Sequence, residues 1–294
     1  MPNDRLQAAI ADAFGALTKR TELSLVEYTS ISQHQHELEA VFARHFNNFT
    51  TVLPGAYSRH TMTAPLAGSV VDMLVLFGVN GSSKYRPGEL VERFHHIVRE
   101  HYTHCWPAKR SVSLVVRVGD FVFRVQPGFV TRDRHYLVPA QTWDGWVDHD
   151  SIGYKHEFAR MNARHKGKLV HVVRMIKTWN RLTGNVFDGY YLELITVEAM
   201  RGYQIENYPR ALRHVYRSML RQVAFRLNDP ACSAIDVEGV RDVVDLVDAM
   251  KLIQTAYRTA DQAIEFAEQT HSPIAYTNWE KLFPGLWQHS TAHI

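Results

Sequence analysis

Two features of the sequence could take part in chemistry. One is an aspartate in an apolar segment, and the other is a row of basic residues with helical spacing. Asp72 lies in an apolar run, and carboxylate oxygens are the ligands that Mg²⁺ and Mn²⁺ prefer. Lys168, His171 and Arg174 recur every three residues, so on a helix they share one face. Lys177 follows one turn later. Such a stripe can hold phosphate groups; the alternative for Lys168 and Arg174 is a solvated helix surface.

Histidines and a cysteine between residues 95 and 105 suggest metal chemistry. Neutral imidazole and thiolate are good Zn²⁺ ligands, and His101, His104 and Cys105 would share one face of a helix. No second ligand pair with a recognisable spacing follows elsewhere in the sequence. We therefore interpret these residues as ordinary surface and core side chains.

The hydrophobic pattern predicts the elements that must position these residues. In the first half, apolar residues recur at three and four positions in three helices, while continuous apolar runs and a Gly-Asp turn predict strands. The predicted helices cover 4–17, 32–49 and 89–102, a buried strand covers 70–77, and a hairpin covers 111–118 and 121–125.

Beyond residue 139 the strand signal fades. Residues 154–182, 190–201, 209–227, 237–269 and 279–283 all have helical periodicity, with polar joints between them. Strands among helices, followed by helices alone, predict an α+β (α/β) fold. We expect a mixed sheet within residues 1–150, an all-helical lobe over 151–294, and a cleft between the two.

Composition excludes several classes of protein. The chain has 46% hydrophobic and 21% charged residues, which is typical of a globular protein, and its net charge of +3 is too small to argue for nucleic acid by itself. No apolar run approaches the roughly 18 residues of a membrane span, and the first residues lack an apolar signal core. We expect a cytoplasmic protein with free thiols and no membrane contact.

A series of motifs resembles a known family. Residues 55–61, a linker and residues 68–77 resemble the nucleotidyltransferase signature, in which Gly-Ser opens a helix and Asp-x-Asp lies on the next strand. Further similar segments follow in the same order: 123–127, 146–148, 173–179, 190–193 and 279–283. This series covers nearly the whole chain and resembles the cGAS/DncV-like (CD-NTase) and oligoadenylate-synthase-like nucleotidyltransferases, whose bacterial members typically make cyclic or linear oligonucleotide signals in phage defence.

The resemblance implies a polymerase-beta-like nucleotidyltransferase lobe over 1–150, with the N-terminal helices, and an oligoadenylate-synthase-C-like helical lobe over 151–294. It implies nucleotide binding by Gly55, Ala56, Lys168, Arg174, Lys177 and Tyr190. Lys177 matches the lysine that holds the triphosphate, and Tyr190 matches the aromatic residue that stacks on a base. The alternative for Tyr190 is packing between the lobes.

Three positions depart from the family pattern. Asp-x-Asp is replaced by Val70-Val71-Asp72, the third aspartate matches Arg124, and the serine of the Gly-Ser pair is Ala56. Two Mg²⁺ ions need several carboxylate oxygens, and only Asp72 remains as a metal ligand. Alternation along the hairpin turns Arg124 to the side of the site, so we expect it to pair with Asp72.

These departures predict a degenerate, catalytically impaired relative that binds nucleotides or short oligonucleotides as a sensor or regulatory subunit of antiphage signalling. One alternative is an active nucleotidyltransferase that makes cyclic or linear oligonucleotides from NTPs. That alternative needs Mg²⁺ or Mn²⁺ at Asp72, either with Asp120 or Asp133 as a further ligand from a neighbouring turn or in a variant chemistry that needs one metal ion. Another alternative is a protein-interaction module that docks an effector or regulatory partner.

Overall fold

The structure is a computed structural model that describes residues 2–66, 69–78, 84–108, 112–140, 145–240, 246–269 and 272–287. Its helices are α1 (Pro2–Thr21), α2 (Leu25–Ala43), α3 (Gly55–Ser58), α4 (Pro87–Arg99), α5 (Ser151–Arg164), α6 (Lys168–Leu182), α7 (Gly189–Met200), α8 (Tyr208–Gln222), α9 (Leu246–Glu268) and α10 (Ser272–Leu282). Its strands are β1 (Phe49–Val52), β2 (Val70–Phe77), β3 (Cys105–Pro107), β4 (Leu114–Val118), β5 (Phe121–Val130), β6 (Tyr136–Pro139), β7 (Trp146–His149), β8 (Leu227–Asp229) and β9 (Cys232–Val237).

The chain divides into two compact units. One, the sheet unit, contains Leu23–Glu157 and Asp229–Ile235. The other, the helical unit, contains Met1–Glu22, Phe158–Asn228 and Asp236–Ile294. Each unit has its own hydrophobic core, so each is described separately.

The sheet unit is built on a mixed sheet with the order β1-β2-β5-β4-β3, and β6 pairs with both β5 and β7. Strands β2 and β5 are parallel, whereas the other named pairs are antiparallel. The predicted mixed sheet and α+β class are thus confirmed. The parallel pair requires a crossover, which the chain makes through α4, β3 and β4.

The two faces of this sheet have different roles. Odd-numbered residues of β2 and β5, such as Met73 and Phe123, are buried in a core that also contains Phe42 of α2 and Phe94 of α4. Even-numbered residues point to the other face, where a smaller cluster contains Leu74, Leu76 and Val138. Because side chains alternate along a strand, the polar residues at positions 72 and 124 lie on this second face.

Helix α2 begins seven residues before its predicted start. Ser24 and Glu27 form a capping box: the Ser24 hydroxyl accepts from the Glu27 amide at 3.2 Å, and the Glu27 carboxylate accepts from the Ser24 amide at 2.7 Å. This Ser-x-x-Glu pattern satisfies two amide groups that a helix start otherwise leaves unpaired. The prediction also extended the helix to residue 49, where the structure has already begun β1.

Helix α1 belongs to the helical unit, although we predicted both N-terminal helices within a first lobe of residues 1–150. Its apolar stripe packs against α6 and α9. Phe14 lies 4.9 Å from both Trp279 and Trp287, ring centroid to ring centroid. Periodicity predicts that a helix buries a stripe but does not predict its partner, and that is why the division was misplaced.

The second half is not all-helical, which corrects the prediction for residues 151–294. A two-stranded sheet of β8 and β9 interrupts the helices, and residues 229–235 belong to the sheet unit. The predicted helix over 237–269 begins only at Leu246 in the described residues. None of the described helices combines the length and the apolar character that crossing a membrane requires.

Candidate functional site

Asp72 and Arg124 form an ion pair on the open face of the sheet. The two residues are direct neighbours in the register of β2 and β5. Both Nε and Nη2 of Arg124 lie 2.6 Å from Oδ1 of Asp72. The predicted pair is therefore present, and its charges are partly exposed, with 28% of the Asp72 side chain and 44% of the Arg124 side chain accessible.

Gly55 lies directly against this pair. It is the first residue of the short helix α3, and its φ of +69° is a conformation that residues with a Cβ rarely adopt. A Cβ atom at this position would lie 2.9 Å from Oδ2 of Asp72. The structure thus brings together Gly55, Asp72 and Arg124, three positions that the sequence placed in one site.

The remaining members of the signature supply no further ligand. Val70 shares the face of Asp72, two residues before it, and is 44% exposed. Ala56 offers only a methyl group, and its carbonyl accepts the amide of Thr61 at 2.9 Å. The position that would add a second carboxylate is therefore an exposed valine.

Neither alternative aspartate lies beside Asp72. Asp120 precedes the β5 residue in register with Asp72 by four positions, which is about 13 Å along a strand. Asp133 lies beyond Val130, the last residue of β5, which is about 20 Å from Arg124 along the strand. A divalent cation binds oxygen atoms at about 2.0–2.6 Å, so one ion cannot bind carboxylates that are this far apart.

The donor set at Asp72 does not fit a pair of divalent cations. One carboxylate is present, and a guanidinium already binds one of its oxygens. Among the residues that the structure describes, no group of three or more His, Cys, Asp and Glu side chains could hold a metal ion. His101 makes ordinary side-chain contacts: its Nε2 lies 3.0 Å from Nη1 of Arg44, and its Nδ1 lies 3.2 Å from the carbonyl oxygen of Ile97.

Lys177 forms a buried ion pair in the helical unit. Its Nζ lies 2.8 Å from Oε2 of Glu193 on α7. The Glu193 side chain is fully buried, and 12% of the Lys177 side chain is exposed. Sequence reasoning missed the role of Glu193, although an acidic residue within the otherwise apolar segment Tyr191–Ile195 is a recognisable signal for a buried partner.

The other members of the basic stripe make contacts within the helical unit. Lys168 donates to the carbonyls of Ile205 and Glu206 at 3.5 and 2.7 Å. Arg174 is 2% exposed and lies 3.2 Å from the Glu22 carboxylate. The expectation of solvated side chains at these two positions is wrong for Arg174, because the helix turns it towards the core.

His171 lies within this stripe in a partly buried position. Its Nδ1 is 2.6 Å from the Tyr208 hydroxyl. Burial lowers the pKa of His171, and the neighbouring Arg174 lowers it further. The ring therefore binds a proton less readily than an exposed histidine, and Lys168, Arg174 and Lys177 carry the charge of the stripe.

Tyr190 is placed by the N-terminal cap of α7. The Asp188 carboxylate accepts the amides of Tyr190 and Tyr191 at 2.7 and 3.1 Å, which fixes the first turn of the helix. Tyr191 is fully buried, whereas Tyr190 is half-buried. The cap therefore holds Tyr190 at the end of the helix that carries Glu193, the partner of Lys177.

The sequence pattern of one protein family matches the chain. The family is described as the Second Messenger Oligonucleotide or Dinucleotide Synthetase domain (SMODS), and the match covers residues 9–162, more than half of the 294 residues. This range contains Gly55, Asp72 and Arg124. No curated protein sequence matches the chain.

Solved structures share the fold along nearly the entire chain. The CdnC:HORMA-deltaN complex of Escherichia coli matches with a TM-score of 0.70 at 16% identity, over 95% of this chain and 98% of CdnC. The same CdnC with ATP matches with a TM-score of 0.66 at 17% identity, over 95% and 98%. Vibrio cholerae DncV cyclic AMP-GMP synthase, with the linear intermediate 5′ pppA(3′,5′)pG, matches with a TM-score of 0.64 at 14% identity, over 98% and 89%. The polymerase-beta-like α+β architecture predicted from the sequence is thus confirmed.

Proposed function

The chain belongs to the family of Second Messenger Oligonucleotide or Dinucleotide Synthetase domains, and we propose that it binds nucleotides but has lost two-metal catalysis. In this proposal it is a cytoplasmic protein of bacterial antiphage signalling. It acts there as a sensor of nucleotides or short oligonucleotides, or as a regulatory subunit.

The Asp72–Arg124 pair is the observation that carries this proposal. A unit charge 4 Å from another interacts by about 4 kcal/mol at an effective dielectric of 20, so a guanidinium at that distance opposes a divalent cation by about 8 kcal/mol before screening. Partial exposure of both side chains reduces this value but does not change its sign. Arg124 therefore disfavours the metal ions whose ligand it replaces.

Arg124 also offers a substitute for the missing positive charge. A guanidinium binds phosphate oxygens through directed hydrogen bonds. In our proposal, Gly55 of the sheet unit lets phosphate oxygens come close to Arg124. In the helical unit, Lys177 binds the phosphates of a nucleotide and Tyr190 stacks on a base. Lys168 and Arg174 lie on the same helix as Lys177, and in this proposal their positive charge attracts the triphosphate while carbonyl groups and Glu22 hold their side chains. Nucleotide binding should then not require a divalent cation.

Thermal denaturation with a panel of NTPs tests binding, with either Mg²⁺ or EDTA present. A ligand at 100 times its dissociation constant stabilises the native state by about 2.7 kcal/mol, so we expect an increase in melting temperature that persists in EDTA. Labelled NTPs with Mg²⁺ or Mn²⁺ should give no oligonucleotide product. A stabilisation that disappears in EDTA contradicts metal-independent binding.

Restoring the acidic residues provides the complementary experiment. We expect the double variant Val70→Asp/Arg124→Asp to be stabilised by Mn²⁺, because two carboxylates then stand beside Asp72 without a competing cation. The matched control Val70→Asp keeps Arg124 and should respond weakly. Equal Mn²⁺ stabilisation of both variants would show that Arg124 does not exclude the metal.

A second candidate is an active nucleotidyltransferase, and the approach of Gly55 to Asp72 favours it because this part of the signature is intact. That function predicts a Mg²⁺- or Mn²⁺-dependent product that is absent from Asp72→Ala. Such a product would overturn the loss of catalysis.

A third candidate is an interaction module for an effector or regulatory partner, and the complex of E. coli CdnC with HORMA-deltaN is consistent with it. No stabilisation by any nucleotide would favour this third candidate.

A further inference from the structure

The solvent face of α8 carries a row of arginines. Arg210, Arg217 and Arg221 are spaced by seven and four residues, which places them on one side of the helix. Arg217 and Arg221 are exposed and lie about 6 Å apart along the helix axis. The opposite side of α8 is buried in the core of the helical unit.

Acidic residues of α9 pair with arginines only in the first half of α8. Arg210 lies 3.3 Å from Glu268, and Arg213 lies 2.9 Å from Asp261, so the two helices run antiparallel. Within the described residues, the side chains of Arg217 and Arg221 make no hydrogen bond or ion pair. Among the residues that the structure describes, the positive charge of α8 therefore has no counterion towards the C-terminal end of the helix.

One more arginine extends this surface. The antiparallel register places residue 258 of α9 opposite Arg217, and Arg258 shares the α9 face of Asp261. Arg258 is exposed and, among the residues described, has no counterion. The positive charge also affects the neighbouring His214. Burial is the main cause that lowers the pKa of His214, and the charges of Arg217, Arg221 and Arg213 lower it further.

An exposed aromatic ring follows the arginines, in the turn after α8. Phe225 follows Arg221 by four residues and is 66% exposed. Its amide donates to the Gln222 carbonyl at 2.9 Å, so the turn after α8 is ordered. Proteins combine an exposed aromatic ring with arginines when they stack bases and hold a phosphate backbone, and the end of α8 supplies both kinds of side chain within a few residues.

We propose that Arg217, Arg221, Arg258 and Phe225 form a binding surface for single-stranded nucleic acid. The guanidinium groups bind successive phosphates, and Phe225 stacks on a base. This surface lies entirely within the helical unit, does not include Lys177 or Tyr190, and is independent of the proposed nucleotide site. A single strand fits better than a duplex because its bases are available for stacking.

Fluorescence anisotropy of the full chain with a labelled 20-nucleotide oligo-dT tests the proposal, with salt varied. For single strands the slope of log K against log salt is about 0.7 per phosphate contact, so Arg217→Glu/Arg221→Glu should lower it by about 1.4. We expect this double variant to weaken binding at least tenfold and Phe225→Ala to weaken it severalfold. The matched control Arg132→Glu/Arg134→Glu removes the same net charge from exposed positions and should retain affinity.

Three outcomes would overturn this proposal. They are the absence of oligo-dT binding by the unaltered chain, equal weakening by the two charge-reversal variants, and competition by a duplex of the same length as strong as that by the single strand. Competition by poly-glutamate that matches unlabelled oligo-dT, with no effect of Phe225→Ala, would identify an acidic protein as the partner instead. Circular dichroism of each variant verifies that it is folded.

Discussion

Asp72 and Arg124 are paired because β2 and β5 are parallel and the two residues are direct neighbours in register. Adjacent residues of neighbouring strands point to the same face, so an arginine at position 124 necessarily reaches the carboxylate at position 72. The same geometry would bring an aspartate at position 124 to a shared metal site. A single residue type thus decides whether this face attracts or opposes a divalent cation.

Gly55→Ala should destabilise the sheet unit through two effects. A left-handed backbone costs a residue with a Cβ about 1–2 kcal/mol, and the new Cβ would meet Oδ2 of Asp72, which Arg124 holds in place. In an Asp72→Ala background the nearest contact is the Cβ at 3.8 Å, and only the backbone cost remains. Urea denaturation of the double-mutant cycle should give a coupling of about 1 kcal/mol or more. Equal costs in both backgrounds would contradict this close approach.

Glu193→Gln should lower the free energy of unfolding by about 3 kcal/mol, because it leaves the ammonium group of Lys177 without its buried partner. Lys177→Met should remove most of this cost when combined with it. The control Asp248→Asn breaks the exposed Lys251–Asp248 pair in the same unit and should cost less than about 1 kcal/mol. Similar losses for the buried and the exposed pair, measured in urea, would show that Glu193 contributes no more than a surface charge.

Helix ends determine where the proposed nucleotide-binding residues lie. The cap at Asp188 starts α7 and fixes Tyr190 in its first turn, while Lys177 and Glu193 join α6 to α7 further along. The carboxylate accepts two amides that the helix cannot pair internally. The position of an aromatic ring therefore depends on a side chain that would not itself contact the nucleotide.

Asp188→Ala should cost about 1 kcal/mol of stability, and it should also weaken nucleotide binding because Tyr190 loses its anchored backbone. Asn207→Ala is the matched control: it removes the cap of α8, where Asn207 accepts the Arg210 amide at 3.0 Å, and should cost a similar amount. Only Asp188→Ala should raise the dissociation constant for ATP in calorimetry. An equal effect of both variants on ATP would assign the loss to general destabilisation.

The whole chain builds two cores from segments that alternate between them. The helical unit takes its first 22 residues from one end of the chain and its last segment from the other. Phe14 and Trp279 are in contact although 264 residues separate them. Closing such long loops costs conformational entropy, which burial of large aromatic side chains must offset.

Phe14→Ala should destabilise the helical unit by about 3–5 kcal/mol, because the side chain is fully buried. Phe42→Ala is the counterpart, since Phe42 lies in the core of the sheet unit. Hydrogen exchange should speed up in α6 and α9 for the first variant and in β2 and β5 for the second. Loss of protection in β2 and β5 caused by Phe14→Ala would mean that α1 supports the sheet unit instead.

Acid should destabilise the helical unit. Burial lowers the pKa values of His165, His171 and His214 from the ordinary 6.5, so the unfolded chain binds protons more readily than the folded one. Stability is full above pH 6.5 and falls as the pH drops from there towards the folded pKa values. Calorimetry between pH 8 and 5 should therefore show a falling melting temperature, with a smaller slope in His171→Gln.

His135 in the sheet unit should respond with the opposite sign. The hydrogen bond that its Nδ1 donates to the Asp148 carboxylate raises its pKa, and the negative charges of Asp150 and Asp133 raise it further. Its contribution is present below pH 6.5 and is lost as the pH rises through the folded pKa. His135→Gln should leave the acid-side slope of the helical unit unchanged, and a reduced slope in this variant would contradict the assignment to His165, His171 and His214.

The sequence by itself determined the chemistry of the site. Alternation along β5 predicted which face Arg124 occupies, and the order of the motifs predicted the α+β fold and the proximity of Gly55, Asp72 and Arg124. These features depend on local periodicity and on residue types, which are written directly in the chain. The catalytic state and the nucleotide-binding roles of Lys177 and Tyr190 stay predictions.

Only the tertiary structure decided which partners the helices and charges found. It assigned α1 to the helical unit, buried Arg174 beside Glu22, paired Lys177 with Glu193, and left Arg217 and Arg221 without counterions among the described residues. The sequence of a helix shows which of its faces is apolar but not which element covers that face. The type of a charged residue gives the sign of its charge but not which residue lies beside it. Those choices depend on contacts between residues far apart in the chain, which no local pattern specifies.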